Sequence, residues 1–211
     1  MPRVHFVKKA RKDNPAVKAG ESYYWWKFRY GGKRYSATPP KGSQLTQSAY
    51  YSQIRALCES IEETDVDDQD SFDGLKDDIG SELEMLRDEC QEKLDNMAQY
   101  NLEYSPTGEM LQERIDACEN AQMEFDSIEE WNEDDPLEHE FEEACPECDG
   151  SGEDQSEDAE DDDICQECDG SGEYFNENEY QAAVSDFEER QHEWAQNAKS
   201  ELIDAVSSAE V

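Results

Sequence analysis

Two near-identical octets constrain this chain more than any other feature: Cys145-Pro146-Glu147-Cys148-Asp149-Gly150-Ser151-Gly152 and Cys165-Gln166-Glu167-Cys168-Asp169-Gly170-Ser171-Gly172. Each supplies a Cys-x-x-Cys pair, and 16 residues separate the two pairs. One short chelating turn from each of two arms is what a four-thiolate zinc site needs. The glycines two and four positions after each second cysteine suit the sharp bend of such a turn, because glycine tolerates positive φ. Four thiolates leave no open coordination position, so the expected site is structural, with one Zn²⁺ per chain on Cys145, Cys148, Cys165 and Cys168. Two disulfides or four unpaired thiols are the alternatives on these residues. His139, six residues before Cys145, is an alternative ligand, although an exposed histidine is expected in so acidic a segment.

The octets resemble the C-x-x-C-x-G-x-G repeat of the cysteine-rich domain in DnaJ-type co-chaperones. That family uses four repeats and two zincs, whereas two repeats imply one zinc. The His-Pro-Asp tripeptide of a J-domain is absent, so the resemblance implies no co-chaperone activity. It spans 28 of the 211 residues. Paired repeats of this kind also occur in small anti-TRAP-type inhibitor proteins, where they serve protein–protein contact. The resemblance therefore implies a zinc module and partner binding.

Charge is the second constraint. The net charge is −38, unevenly spread. Residues 1–41 carry 11 Lys/Arg against two acids, Asp13 and Glu21. The other 170 residues carry 7 Lys/Arg against 54 acids, and no Lys or Arg lies between Arg114 and Arg190. Phosphate contacts need cations, so nucleic acid is expected to bind only through residues 1–41. The acidic remainder is suited to a partner with a basic surface, such as a nucleic-acid-binding protein. No apolar run reaches the roughly 18–20 residues of a membrane span, and no signal peptide opens the chain. With metal-type cysteines, this predicts a reducing cytoplasm, the host's if the chain is phage-encoded.

The pattern along the chain predicts a mainly α fold. A basic, aromatic β-hairpin region is expected in residues 1–42. Acidic helices fill 43–135, the zinc segment with its acidic loop 136–175, and a C-terminal helix 176–211. Residues 1–20 read as mostly irregular. Tyr23 to Ser36 reads as aromatic strand sequence around Gly31-Gly32, a hairpin signal. Alternation places Tyr24, Trp26, Phe28 and Tyr30 on one face and Tyr23, Trp25, Lys27 and Arg29 on the other. Trp25, Lys27, Arg29, Lys33 and Arg34 are the candidate nucleic-acid surface. The segment weakly resembles the β-sheet arm-binding domains of phage-type integrases. A basic face that instead packs on the acidic helices is the competing expectation.

Four apolar stripes follow. They are Tyr50-Ile54-Leu57-Cys58-Ile61; Leu75 to Met97, in an 11-residue repeat; Leu111-Ile115-Cys118-Gln122-Phe125; and Tyr180 to Ala205. The second helix is expected to end near Tyr104. Ser105-Pro106 caps the third, which Asn132–Pro136 breaks. Gly74 and Gly80 leave the start of the second helix open. These helices predict an antiparallel bundle or coiled-coil stalk, with the zinc knob inserted between the last two and forming the tip of their hairpin. Cys58, Cys90 and Cys118 fall on apolar positions and are expected to be buried, inert thiols. The loop from Glu153 to Asp163 has almost nothing to bury and is expected to be mobile.

No catalytic motif stands out. His192-Glu193 begins like a zinc-peptidase helix, but Gln196 occupies the place of the second histidine. Carboxylates are too abundant for their pairing to carry information. The expectation is a non-enzymatic, highly acidic zinc-binding interaction protein that docks on a basic surface, in its sharper form by mimicking nucleic acid. The alternative is nucleic-acid binding through the basic hairpin, with the acidic body for oligomerisation or recruitment. A homo-oligomer is compatible with either. The mix of basic hairpin, helices and zinc knob resembles a phage or mobile-element accessory protein.

Overall fold

The computed structural model describes residues 1–153 and 164–210. All but Glu153 of the acidic loop expected between the cysteine arms lies outside the described residues. The chain divides into two compact units, residues 1–129 with 195–211, and residues 130–194. Helices dominate, as expected, with a three-stranded sheet near the N-terminus and a two-stranded one at the cysteines. No helix among the described residues is long and apolar enough to cross a membrane.

The first unit opens with an antiparallel sheet of order β1-β2-β3, from β1 (His5–Val7), β2 (Tyr23–Lys27) and β3 (Lys33–Ser36). β1 is the one strand within residues 1–20, otherwise irregular as expected. Three residues are too short for alternation to register, and the strand exists because β2 supplies its hydrogen bonds, with His5 opposite Trp25 and Val7 opposite Tyr23. β2 ends at Lys27, so Phe28, Arg29 and Tyr30 lie in the connection to β3 rather than on a strand face. Trp26 is 2% exposed, whereas its neighbour Trp25 on the other face is half-buried.

Helix starts follow the capping residues. α1 (Ala49–Glu63) begins after Ser48, whose side chain accepts from the Tyr51 N–H. It buries Tyr50, Ile54, Leu57 and Ile61, the expected stripe, and leaves Cys58 half-buried. α2 (Gln69–Ala98) begins after Asp68, which forms a capping box with Ser71. Gly74 and Gly80 both lie inside it, carried by burial of Phe72, Leu75 and Ile79. α2 ends at Ala98, short of the expected Tyr104. Asn101 adopts φ 54°, and the Leu102 N–H turns back to the Met97 carbonyl, a left-handed C-terminal stop.

α3 (Pro106–Asp126) starts as expected from Ser105 and Pro106. Gly108 is required there, since a Cβ would sit 2.0 Å from the Glu103 carbonyl oxygen. The helix stops before the Asn132–Pro136 segment expected to break it. The Ser127 and Ile128 N–H groups bond back only three residues, to Glu124 and Phe125, while Ser127 Oγ donates to the Glu124 carbonyl. The core position expected for Gln122 belongs to Ala121, which is fully buried. Gln122 Nε2 instead donates to the Gly80 carbonyl, bridging α2 and α3.

α2 and α3 form the helical hairpin of this unit. The C-terminal half of α4 (Glu177–Ser208) runs antiparallel to α1, burying Ala195, Ala198, Leu202, Ala205 and Val206. Lys199 Nζ donates to the Glu62 and Thr64 carbonyls at one end. At the other, Arg55 pairs with Glu210, and the buried Tyr50 hydroxyl lies 3.0 Å from the Ala209 carbonyl.

In the second unit, a 3₁₀ turn (Glu138–Phe141) leads into β4 (Glu142–Ala144), which pairs antiparallel with β5 (Glu173–Phe175). Phe141 and Phe175 each pack on Tyr180 of α4, with ring centroids 5.5 Å apart. Trp131 packs on Phe187 and Trp194.

Candidate metal centre

The two octets fold as near copies related by an approximate two-fold. In each, the aspartate after the second cysteine has φ 50°, and the glycines after it have φ 76–80°. Asp149 and Asp169 thus adopt the left-handed conformation without being glycine, which aspartate tolerates better than most residues. The Gly150 and Gly170 N–H groups close each turn onto the Cys145 and Cys165 carbonyls, at 3.2 and 3.1 Å. Ser151 and Ser171 donate their hydroxyls to the Cys148 and Cys168 carbonyls, both at 2.7 Å.

Exchange of strands joins the copies. Cys145 N–H donates to the Gly172 carbonyl and Cys165 N–H to the Gly152 carbonyl, each at 2.9 Å. The arm entering the first turn pairs with the arm leaving the second, Ala144 with Glu173. The arm leaving the first pairs with the arm entering the second, Glu153 with Ile164. Gly152 and Gly172 sit at the crossing point, where a Cβ on either would fall 2.4 Å from the carbonyl oxygen of Gly170 or Gly150. Glycine is therefore required at both.

This cross-strapping brings all four sulfurs together. Sγ atoms of Cys145, Cys148, Cys165 and Cys168 lie within 4.8 Å of one another, and all four residues are buried. Cys145 and Cys165 are separated by 3.9 Å, Cys148 and Cys168 by 3.7 Å. The edges of a tetrahedral thiolate cage with metal–sulfur bonds of about 2.3 Å would be about 3.8 Å. All four are free cysteines, which answers the disulfide alternative. The Gly152 and Gly172 N–H groups point at the Cys148 and Cys168 sulfurs, each at 3.3 Å, supporting negative charge on them. The four cysteines are positioned to hold a single metal ion. His139 is exposed and lies outside it.

The thiols are not equivalent. Burial pushes Cys145 up to about 11. Burial opposes ionisation of Cys168 too, but N–H donors from Gly172 and Gly170 and the Cys165 and Cys148 thiols bring it down to about 7. The Cys168 backbone N–H pulls Cys165 down, yet burial and the Cys168 thiol more than offset that, and its pKa is raised. Cys58, Cys90 and Cys118 are raised chiefly by burial, as befits unreactive thiols; Cys90 and Cys118 are buried as expected and Cys58 only partly.

The five residues proposed from sequence as a nucleic-acid surface do not share one face. Register puts Trp25, Lys27 and Lys33 together, with Lys27 opposite Lys33. Arg34 pairs with Trp26 on the other face, its guanidinium over Phe28, and Arg29 lies in the connection over Tyr30. The Trp25 ring is already engaged: His5 stacks on it at 4.3 Å, and Lys33 Nζ lies 4.2 Å from its centroid. His5 was not among the expected residues, because its strand was not legible.

Among the described residues, Lys41 alone of the 11 cations in residues 1–41 forms an ion pair, with Glu63. The expected packing of this basic face on acidic helices is not made through ion pairs. No known protein family matches the chain, and no curated protein or solved structure is detectably similar to it.

Proposed function

We propose that the chain is a non-enzymatic, zinc-binding interaction protein whose acidic surface docks on a basic partner, competing there with nucleic acid. One observation carries the reading: residues 130–194 hold 27 Asp/Glu against a single cation, Arg190, around a closed four-cysteine site. Zn²⁺ is the metal that the donor set favours, since four thiolates at these separations suit a tetrahedral d¹⁰ ion. With all four positions filled by sulfur, zinc would act as a structural clamp. A dense carboxylate surface on a folded scaffold attracts cations and repels phosphates, so its partner is basic.

The test is capture from native lysate by the zinc-loaded full chain and by a Cys145→Ser/Cys148→Ser variant. The retained protein is then titrated with duplex DNA or RNA. Metal-dependent retention of a basic protein that nucleic acid displaces is the expected result. Retention of nothing that distinguishes the two chains would refute it.

A second reading has its own support. Ten cations in residues 1–40 have no ion-pair partner among the described residues, despite 56 acids in the chain. A basic sheet left unneutralised is suited to phosphates, with Lys27 and Lys33 at its centre. On this reading Lys27→Glu/Lys33→Glu abolishes binding of the full chain to DNA at low salt and leaves the fold intact. Binding that survives the double reversal would exclude that face.

A further inference from the structure

The second unit contains a cleft that the metal site does not use. It is lined by the apolar side chains of Leu137, Phe141, Ala183 and Phe187 and by the exposed acids Asp134, Asp135, Glu140 and Asp186. Leu137 leaves half its surface in solvent, whereas Phe187 is buried. None of the four carboxylates has an ion-pair partner among the described residues. Arg190, the only cation of the unit, lies at the edge with its guanidinium held on Glu133 at 2.9 and 3.1 Å. One guanidinium is thus already accommodated, and four more carboxylates remain unmatched.

We infer that this cleft takes an arginine or lysine side chain of the basic partner, and that the metal site holds the cleft in shape. The inference rests on the proposed function and names its contact point. A lining part apolar and part anionic matches the two halves of a long cationic side chain: the methylene stem packs on Phe141 and Leu137, and the charged head meets the carboxylates. An apolar or anionic ligand would leave those carboxylates unneutralised. Arginine gains more than lysine, because its planar fork can engage two carboxylate oxygens at once.

Coupling to the metal is direct. Phe141 is followed at once by β4, whose pairing with β5 puts Glu142 opposite Phe175, and the Asn176 N–H donates to the Phe141 carbonyl at 2.9 Å. Those strands are in turn held by the Cys145 N–H bond to the Gly172 carbonyl. Loss of metal loosens the knuckles, then the strand pair, and with it the position of Phe141 and Glu140.

The experiment uses the full zinc-loaded chain and an acetylated, amidated Gly-Arg-Gly-Arg-Gly peptide, followed by amide chemical shifts. Saturable shifts are expected at residues 134–141 and 183–190. Asp135→Asn/Asp186→Asn should weaken binding about five- to tenfold, while Asp116→Asn/Glu124→Gln on α3 changes it less than twofold. Chelation of zinc should remove the cleft shifts. Equal weakening by both double variants would overturn the cleft and leave the acidic docking function standing. No peptide binding to any form would overturn both. Cleft shifts that persist after chelation would overturn the metal coupling. Shifts that appear on raising protein concentration without peptide would assign the cleft to a second copy, against a foreign partner.

Discussion

Replacing Gly152 with alanine tests the crossing point of the two knuckles most directly. The residue has φ +76°, a conformation that costs a non-glycine residue about 1–3 kcal/mol. The added Cβ would also lie 2.4 Å from the Gly170 carbonyl oxygen and 3.0 Å from its carbon. The obstacle is backbone, so the knuckles must separate by the better part of an ångström, which lengthens the 2.9 Å bond from Cys165 N–H to the Gly152 carbonyl. Losing that bond adds about 1 kcal/mol. The total, about 3 kcal/mol, corresponds to on the order of a hundredfold loss of metal affinity. Gly150→Ala separates the two contributions. Its φ is +79°, but the nearest atom to its Cβ would be the Ala144 side chain at 3.3 Å, relieved by a shift of a few tenths of an ångström, so conformational strain dominates and about tenfold is expected. Gly172→Ala should match Gly152→Ala, because its obstacle is the same distance away. Competition against a chromogenic zinc chelator measures all three. A Gly152→Ala protein that binds zinc within twofold of the parent, or no more weakly than Gly150→Ala, would refute the crossing-point argument.

Four other outcomes follow from the geometry. Gly74→Ala and Gly80→Ala in α2 meet nothing within 4 Å and should each stabilise the protein by about 0.5–1 kcal/mol, read by thermal melting. The four clustered cysteines should resist iodoacetamide in zinc-loaded protein and become reactive after chelation, as peptide mapping would show. Tyr50→Phe leaves the buried Ala209 carbonyl without its donor and should cost about 1–3 kcal/mol, with earlier proteolysis at the C-terminal end of α4. Glu210 is held below the usual carboxylate range by its hydrogen bond to Arg55. Its contribution is present above the unfolded pKa and lost as pH falls through the folded one. Glu210→Gln should therefore narrow the stability difference between pH 7 and pH 3, by under about 1 kcal/mol for so exposed a pair.

The helices were legible because their information is local. Ser48, Asp68 and Ser105 each accept from a backbone N–H at a helix start, and Tyr50, Ile54, Leu57 and Ile61 face inward at the spacing read from the sequence. The ends of α2 and α3 were not, because Asn101 in a left-handed conformation and the tightened turn at Ser127 stop them before any proline or apolar gap does. β1 was invisible, since three residues carry no period and the strand depends on β2. The ligand set was legible from spacing alone. The exchange of arms between the knuckles was not, because it depends on hydrogen bonds from Cys145 to Gly172 and from Cys165 to Gly152, residues far apart in the chain. The matched Asp-Gly-Ser-Gly after each second cysteine was the available signal. Pairing of α2 with α3 follows from their seven-residue connection, whereas fifty residues join α3 to α4.

A metal held by the four cysteines would also explain how so acidic a segment folds. Among the described residues 130–194, the side chains exposed by less than a tenth are those of the four cysteines and Phe187. Burial of one phenylalanine contributes about 1.5–3 kcal/mol, while ordering each residue's backbone costs about 1–2. Half-buried aromatic contacts at Trp131, Tyr180 and Trp194 add to the first term but cannot match the second. The unit also holds 27 acids against one cation, whose mutual repulsion opposes compaction. Structural zinc supplies about 10–16 kcal/mol in small peptides, the only contribution of suitable size that these residues can recruit. Because the two knuckles are tied by Cys145 to Gly172 and by Cys165 to Gly152, ligands on either arm order both. On the proposed function, a metal clamp would permit a surface of nearly one sign, where the apolar side chains of this segment, only Phe187 of them buried apart from the cysteines, form no core of their own.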